Sequence, residues 1–287
     1  MIWRWAKRIG LGLLALLVLA VAGTWAASAV LLNKRYEHEA RDIHIPGDPV
    51  SIAEGERLAR VFGCFEACHG RDMQGGDLFD VPDGTQLRSP NLTRLVRERT
   101  PAELEAGIRQ GVRPDGRSVL AMPSSAFATM SDEHLGQILG FIAAYPEQDN
   151  DPPGHRIMPL ARFMLLRGEF PIEASRRVPG RVPVEPETLA EPVALGRYLA
   201  LNTCSECHGL DLDGWEGFTP SLRVVAAYSE EDFVRLVREG LALGGREVGL
   251  MSEMGRRRLV HLTDDEVAAL YAFLRQAEIP LSDVPGG

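Results

Sequence analysis

Two cysteines and a histidine stand close together in the second half of the chain. Residues 204–209 read Cys-Ser-Glu-Cys-His-Gly, so Cys204 and Cys207 are three positions apart and His208 follows directly. In this C-x-x-C-H pattern each thiol can add to one vinyl group of a haem, and the adjacent imidazole can bind the iron. Two other interpretations use the same residues: a zinc half-site, since zinc knuckles also contain C-x-x-C, and a buried turn that binds nothing.

An imperfect copy of this motif occurs earlier in the chain. Cys64 and Cys68 are separated by three residues rather than two, and His69 again follows directly. Residues four apart lie on one face of a helical turn, so both thiols are still expected to reach one ring. All four cysteines of the chain belong to these two pairs, which leaves none for a separate structural disulfide.

The similarity between the two halves extends well beyond the cysteines. The matching segments are 55–59 with 196–200, 69–72 with 208–211, 89–92 with 219–222, 108–112 with 237–241, and 131–133 with 263–265. In the last pair a Ser or Thr suited to capping precedes an apolar-periodic helix that contains Phe141 or Phe273. A zinc knuckle has no need of these downstream copies, whereas a duplicated haem domain does.

With these motifs in place, each half resembles a class I cytochrome c domain. The whole chain resembles the membrane-anchored dihaem c-type cytochromes of bacteria, which include relatives of the cytochrome subunits of periplasmic alcohol and sugar-acid dehydrogenases. The resemblance implies an all-α fold of two tandem class I cytochrome c domains, at 51–146 and 187–280, after an N-terminal transmembrane helix. It also implies two covalently attached haem c groups.

The resemblance assigns further residues to each haem. His69 and His208 would be the proximal iron ligands, and a backbone carbonyl of the turn at Pro90 or Pro220 would accept a hydrogen bond from the second ring nitrogen. Met122 would be the sixth ligand of the first haem, while Met130 is interpreted as a core residue.

The sixth ligand of the second haem has two candidates. Counting forward through the repeat favours Met251, and counting back from the helix cap gives Met254 as the runner-up. Four arginines that recur between the halves could pair with haem propionates or could simply be solvated; they are Arg109, Arg117, Arg238 and Arg246.

The N-terminal segment predicts a membrane anchor. Residues 9–32 carry no charge, and 24 residues of helix are enough to cross a hydrocarbon core of about 30 Å. Residues 1–8 contain basic residues and are expected to stay in the cytoplasm. A cleavable signal peptide is the alternative, with a small-x-small site at Ala27–Ala29, but the apolar run continues past it.

The remaining segments are assigned by composition. Residues 33–50 are expected to be a polar tether, after which Ser51, with Glu54 three residues on, predicts the start of the first domain's helix. Residues 147–186 form a Pro-rich linker, predicted to be extended, in which His155 is interpreted as a solvated loop residue. Residues 281–287 are a short tail.

Charge and ligand set together indicate the function. The net charge of −9 argues against nucleic-acid binding. Residues 185–287 carry 18 acidic and 9 basic side chains. This excess forms either an acidic face that attracts a basic partner or an ordinary solvated surface. Two haems with complete ligand sets would pass electrons rather than bind a substrate. The sequence therefore predicts an electron carrier and not an enzyme.

The predicted carrier is tethered to the bacterial inner membrane with its haem domains in the periplasm. A periplasmic dehydrogenase or a quinol-oxidising complex would be the donor, and a terminal oxidase or another cytochrome the acceptor. A dihaem peroxidase-like enzyme with one open haem is the alternative, and a non-redox zinc-binding module is the second alternative.

Overall fold

In the computed structural model, which describes residues 2–39, 41–80, 83–169, 172–177 and 181–276, the chain is mostly helical. Its α-helices are α1 Ile2–Asn33, α2 Pro49–Val61, α3 Leu92–Glu98, α4 Pro101–Arg109, α5 Ser124–Phe127, α6 Asp132–Ala144, α7 Pro159–Leu166, α8 Pro192–Leu199, α9 Ser205–His208, α10 Glu230–Glu239, α11 Leu250–Arg257 and α12 Asp264–Leu274. Two short antiparallel hairpins, which the sequence did not predict, pair β1 Gly76–Asp80 with β2 Gln86–Ser89 and β3 Leu241–Ala242 with β4 Arg246–Glu247. The predicted tail 281–287 and the last residues of the predicted second domain, 277–280, lie outside the described residues.

Helix α1 has the length and apolar character needed to cross a membrane. It is continuous over 32 residues, and most of its apolar side chains are exposed. Its C-terminal part is covered by α7, where the Arg162 guanidinium lies 3.8 Å from the centre of the Trp25 ring and donates to Ser28 Oγ at 2.9 Å. Ser28, in the middle of the candidate cleavage site, is completely buried by this contact.

A close helix pair forms the core of each half. Helix α2 packs on α6 at Gly55, where an added Cβ would lie 2.0 Å from the Gln137 carbonyl oxygen. Helix α8 packs on α12 at Gly196, where an added Cβ would lie 2.0 Å from the Ala269 carbonyl oxygen. The repeated glycine therefore marks the same close backbone approach in both halves.

The helix caps agree with the sequence in one element of each half and differ in another. Ser131 caps α6 through the His134 amide, and Thr263 caps α12 in a reciprocal arrangement with Glu266. Helix α2, however, begins at Pro49 with Asp48 as its cap, so the prediction of a cap at Ser51 is wrong. Proline is favoured at the first helical position, and Asp48 offers a side-chain oxygen one residue before it.

Much of the segment predicted as a linker, where described, runs along the first half instead of standing free. Arg156 pairs with Gln86 through two backbone hydrogen bonds of 2.8 and 2.9 Å, adding a third chain segment beside the β1–β2 hairpin. The Glu173 carboxylate accepts from both the amide and the hydroxyl of Ser125. The prediction of an extended linker is wrong in part, because Pro159–Leu166 forms helix α7 with internal backbone hydrogen bonds. Elsewhere the segment bonds to the first half, as Arg156 does.

The two halves are joined by polar contacts between buried or half-buried groups. Arg57 donates to both carboxylate oxygens of Glu266, at 2.7 and 2.9 Å. The Tyr198 hydroxyl lies 2.8 Å from His134 Nδ1 and accepts from the Ser131 amide. Such hydrogen bonds between buried or half-buried groups, one pair of them charge-assisted, fix the relative position of the halves.

Candidate functional site

The first cysteine–histidine segment is a series of turns. Residues 62–69 leave α2 without continuing as a helix, and Glu66 adopts a left-handed backbone conformation with φ 62°. The expectation that Cys64 and Cys68 share the face of a regular helical turn is therefore wrong. The extra residue is accommodated by this local reversal, which the Cys68 amide closes by donating to the Gly63 carbonyl at 3.1 Å.

The second segment stays helical throughout. Ala200–Cys204 forms a π-helical turn and α9 follows at once through His208. The Thr203 and Ser205 hydroxyls donate back to carbonyls one turn earlier, those of Leu199 and Leu201. A π-turn widens the helix by one residue per turn, and such turns occur frequently at functional sites.

Both histidines are held in the same way despite these different backbones. His69 Nδ1 lies 3.1 Å from the Pro90 carbonyl oxygen, and His208 Nδ1 lies 2.8 Å from the Pro220 carbonyl oxygen. This contact fixes the ring and leaves Nε2 available for a metal. Burial lowers the pKa of both imidazoles, which favours the neutral, metal-binding form.

A cavity of about 380 Å³ adjoins the first segment. Cys64, Cys68, His69, Pro90 and Met122 all line it. Much of the remaining wall is apolar and includes Leu95, Leu104, Ile108, Phe127, Leu139 and Ile142. Thiols, an oriented imidazole and a thioether around a mainly apolar cavity are what a covalently attached haem requires, so the residues present fit that group.

Two methionines face this cavity. Met122 is half-buried and follows Ala121, which has φ 65°, while Met130 is 1% exposed and belongs to the core of the first half. Both line the cavity, so the assignment of Met122 stays a prediction.

The two methionine candidates of the second half lie one turn apart on α11. Met251 packs against the hydrophobic core, whereas Met254 Sδ lies 4.0 Å from the Arg258 guanidinium. Met251 therefore has the more apolar surroundings, and the choice between the two stays a prediction.

Several cavity residues come from segments that the repeat did not mark. Pro152, Pro153, Gly154 and His155 of the predicted linker close one side of the cavity. His155 is not a solvated residue, because its Nδ1 accepts from the Arg88 amide at 3.1 Å and burial lowers its pKa. These residues have no counterpart in the second half, so repeat matching carried no signal for them.

The repeated arginines of the first half, Arg109 and Arg117, pair with carboxylates and are not among the residues that line the cavity. Arg109, almost fully buried, contacts Asp132 at 2.6 Å and Glu105 at 3.5 Å. Its counterpart Arg238 contacts Asp264 at 2.7 Å at the surface. Arg88, Arg99 and Arg113 line the cavity in their place.

The four cysteines, all of them described, form no disulfide and are half-buried. Within the described ranges no three Cys, His, Asp or Glu side chains are grouped as a metal site.

With the geometry in view, comparison with known proteins identifies one of the halves. Residues 193–278 match the family model of cytochrome c. This range contains Cys204, Cys207, His208 and Pro220, together with both methionine candidates.

Three curated relatives align with most of the chain. They are the fructose dehydrogenase cytochrome subunit of Gluconobacter japonicus (26% identical, 78% of this chain and 52% of the relative), the gluconate 2-dehydrogenase cytochrome c subunit of Pantoea cypripedii (26%, 78% and 59%) and the cytochrome c subunit of the quinone alcohol dehydrogenase of Gluconacetobacter polyoxogenes (24%, 79% and 56%). The chain thus spans somewhat more than half the length of these relatives.

The relatives bear directly on the predicted role. All three are described as the cytochrome subunit of a dehydrogenase, which supports the prediction of an electron carrier that is not itself the catalytic subunit. Residues 193–278 therefore form a cytochrome c domain, and the chain is homologous to dehydrogenase cytochrome subunits.

Proposed function

We propose that the chain carries two covalently attached haem c groups and transfers electrons between redox proteins at the bacterial inner membrane. The observation that carries the proposal is the repeated contact between a motif histidine and a proline carbonyl, at 3.1 Å in the first half and 2.8 Å in the second. Because the second contact lies in a cytochrome c domain, the first supports a second such domain at 51–146.

In this proposal the haems supply reversible one-electron chemistry, and the chain supplies attachment, orientation and exclusion of water. Cys64, Cys68, Cys204 and Cys207 hold the two rings by thioether bonds. His69 and His208 bind iron through Nε2, each oriented by its Nδ1 contact. Met122 and Met251, with Met254 as the runner-up, complete the ligand sets, which leaves no position for an exogenous substrate.

Counting the haems bound to each chain tests the proposal of two attached haem c groups. A pyridine haemochrome assay on the purified chain is expected to give two haems per polypeptide. Replacing Cys64 and Cys68 by Ala is expected to leave one, and replacing Cys204 and Cys207 by Ala is expected to leave the other. A wild-type protein with one haem would remove the first site from the proposal, and one with bound zinc and no haem would establish the zinc-binding module instead.

Single methionine variants test the sixth ligands. Met122→Ala and Met251→Ala are each expected to abolish half of the weak sulfur-to-iron absorption band, while Met130→Ala and Met254→Ala serve as matched controls. Retention of the band in Met251→Ala and its loss in Met254→Ala would exchange those two assignments. A five-coordinate haem that reacts with peroxide in the wild type would favour the peroxidase-like enzyme.

We further propose that α1 is retained as a single-pass anchor and that the haem domains lie in the periplasm. Support comes from the contact with α7, since the candidate cleavage site is helical and Ser28 within it is buried. The mass of the mature protein decides between the two forms: the proposal requires residues 1–29, and their loss would establish a cleaved signal peptide.

The relatives, each named as the cytochrome subunit of a dehydrogenase, support a dehydrogenase among the proposed partners. A periplasmic dehydrogenase or a quinol-oxidising complex would donate electrons, and a terminal oxidase or another cytochrome would accept them. An anchored carrier meets partners of the same membrane at raised effective concentration. Purification in mild detergent is expected to recover a dehydrogenase subunit with the chain, and its recovery with an oxidase alone would argue against the proposed donor.

A further inference from the structure

Arg258, at the end of α11, is a buried cation at the contact between the two halves. Its side chain is only 6% exposed, and its Nη1 donates to Glu206 Oε2 at 2.9 Å. Its Nε donates to the Val61 carbonyl at 3.3 Å, so a residue of the second half bonds to the end of α2 in the first. The sequence repeat gave no indication of this residue, because the contact joins the halves instead of recurring in each.

The ion pair touches both cysteine–histidine segments. Glu206 stands between Cys204 and Cys207 in the second segment, yet it also lines the cavity of the first. On the other side, a Cβ added to Gly63, the residue before Cys64, would lie 2.9 Å from the Arg258 Cζ atom. The guanidinium therefore rests on the backbone of the first segment while bonding to a side chain of the second.

The position of Arg258 brings its charge close to both attachment segments, through the contact with Gly63 before Cys64 and the bond to Glu206 between Cys204 and Cys207. Nη2 of Arg258 is buried and has no hydrogen-bond partner in the part of the chain that the structure describes. An arginine stays protonated even when desolvated, so its positive charge is permanent.

We propose that Arg258, held by Glu206, acts on both haem sites through its charge and raises the reduction potential of both haems. The inference rests on the proposed function, since it requires a haem on each segment. Reduction adds an electron to each iron, and a fixed positive charge at low effective dielectric stabilises the reduced form. The carboxylate of Glu206 acts in the opposite direction on both haems.

Spectroelectrochemical titration of the full chain in detergent tests the proposal. Arg258→Gln is expected to lower both midpoint potentials, each by about tenfold in the reduction equilibrium, or about 59 mV for a one-electron couple. Glu206→Gln, which keeps the size of the side chain, is expected to raise both. Arg257→Gln is the matched control, because Arg257 is exposed, lies on the same helix and pairs with Glu253.

Haem content separates the possible failures. If the wild type holds fewer than two haems, the proposed function fails and the inference fails with it. If it holds two haems and Glu206→Gln and Arg258→Gln leave both potentials in place, or move only one, the inference alone is overturned. If Arg258→Gln does not assemble, Arg258→Lys is expected to retain both potentials near those of the wild type, and the opposite shift in Glu206→Gln remains decisive.

Discussion

The two cysteine–histidine segments reach the same histidine geometry by different backbones. The first is built from turns around the left-handed Glu66, and the second from a π-turn followed by α9. In both, the ring is held by a proline carbonyl from the following loop. The comparison indicates that the histidine–proline contact is the constrained feature, while the path between the cysteines can vary.

The surroundings of the two segments differ as well. The predicted linker closes the first cavity through residues 152–155. Beside the second segment, Trp215 and Phe218 are 46% and 67% exposed. The two halves thus keep the same histidine contact while the segments around it differ in how far they are buried.

The largest difference is expected between Arg109 and its counterpart Arg238. Arg109→Ala leaves the buried Glu105 carboxylate without its cation and is expected to lower the free energy of unfolding by about 3 to 5 kcal/mol. Arg238→Ala removes an ion pair with the fully exposed Asp264 and two hydrogen bonds to backbone carbonyls. It is expected to lower the free energy of unfolding by about 1 to 2 kcal/mol. Urea unfolding followed by circular dichroism measures both. Equal losses would mean that burial does not separate the two halves.

The helix pairs should respond alike, in contrast to the arginines. Gly55→Ala and Gly196→Ala each place a Cβ 2.0 Å from a backbone oxygen and are expected to cost about 1 to 3 kcal/mol by forcing the helices apart. Gly47→Ala is the control, because Gly47 is exposed and no atom lies within 4 Å of the added Cβ, and it is expected to change the free energy of unfolding by less than about 0.5 kcal/mol. A loss in one half only would show that the two cores are not equivalent.

The smallest effect concerns the extra residue of the first segment. Glu66→Gly relieves the left-handed conformation and should be more stable than Glu66→Ala by about 1 kcal/mol. Both variants lose the same partly exposed pair with Arg60, so their difference isolates the backbone. Thermal unfolding measures it, and identical melting temperatures would contradict a strained turn at this position.

The sequence was informative wherever the halves repeat. The cysteine motifs, the proline turns and the caps at Ser131 and Thr263 were marked by spacing or by copies. Three features carried no such mark in the sequence, because tertiary packing sets each of them. They are the cavity wall at residues 152–155, the partners of Arg109, and the contact between Arg258 and Glu206. The cap at Asp48 was missed because the polar segment before it was interpreted as a tether.

The wall that Glu206 contributes to the first cavity also bears on the order of maturation. The chain emerges N-terminus first, so Cys64 and Cys68 are available long before Glu206, 138 residues after Cys68 in the sequence, has emerged. The first cavity therefore reaches its final shape only when the second segment has docked. A haem attached at the first segment, as proposed, would therefore be fully enclosed only after the second half has docked.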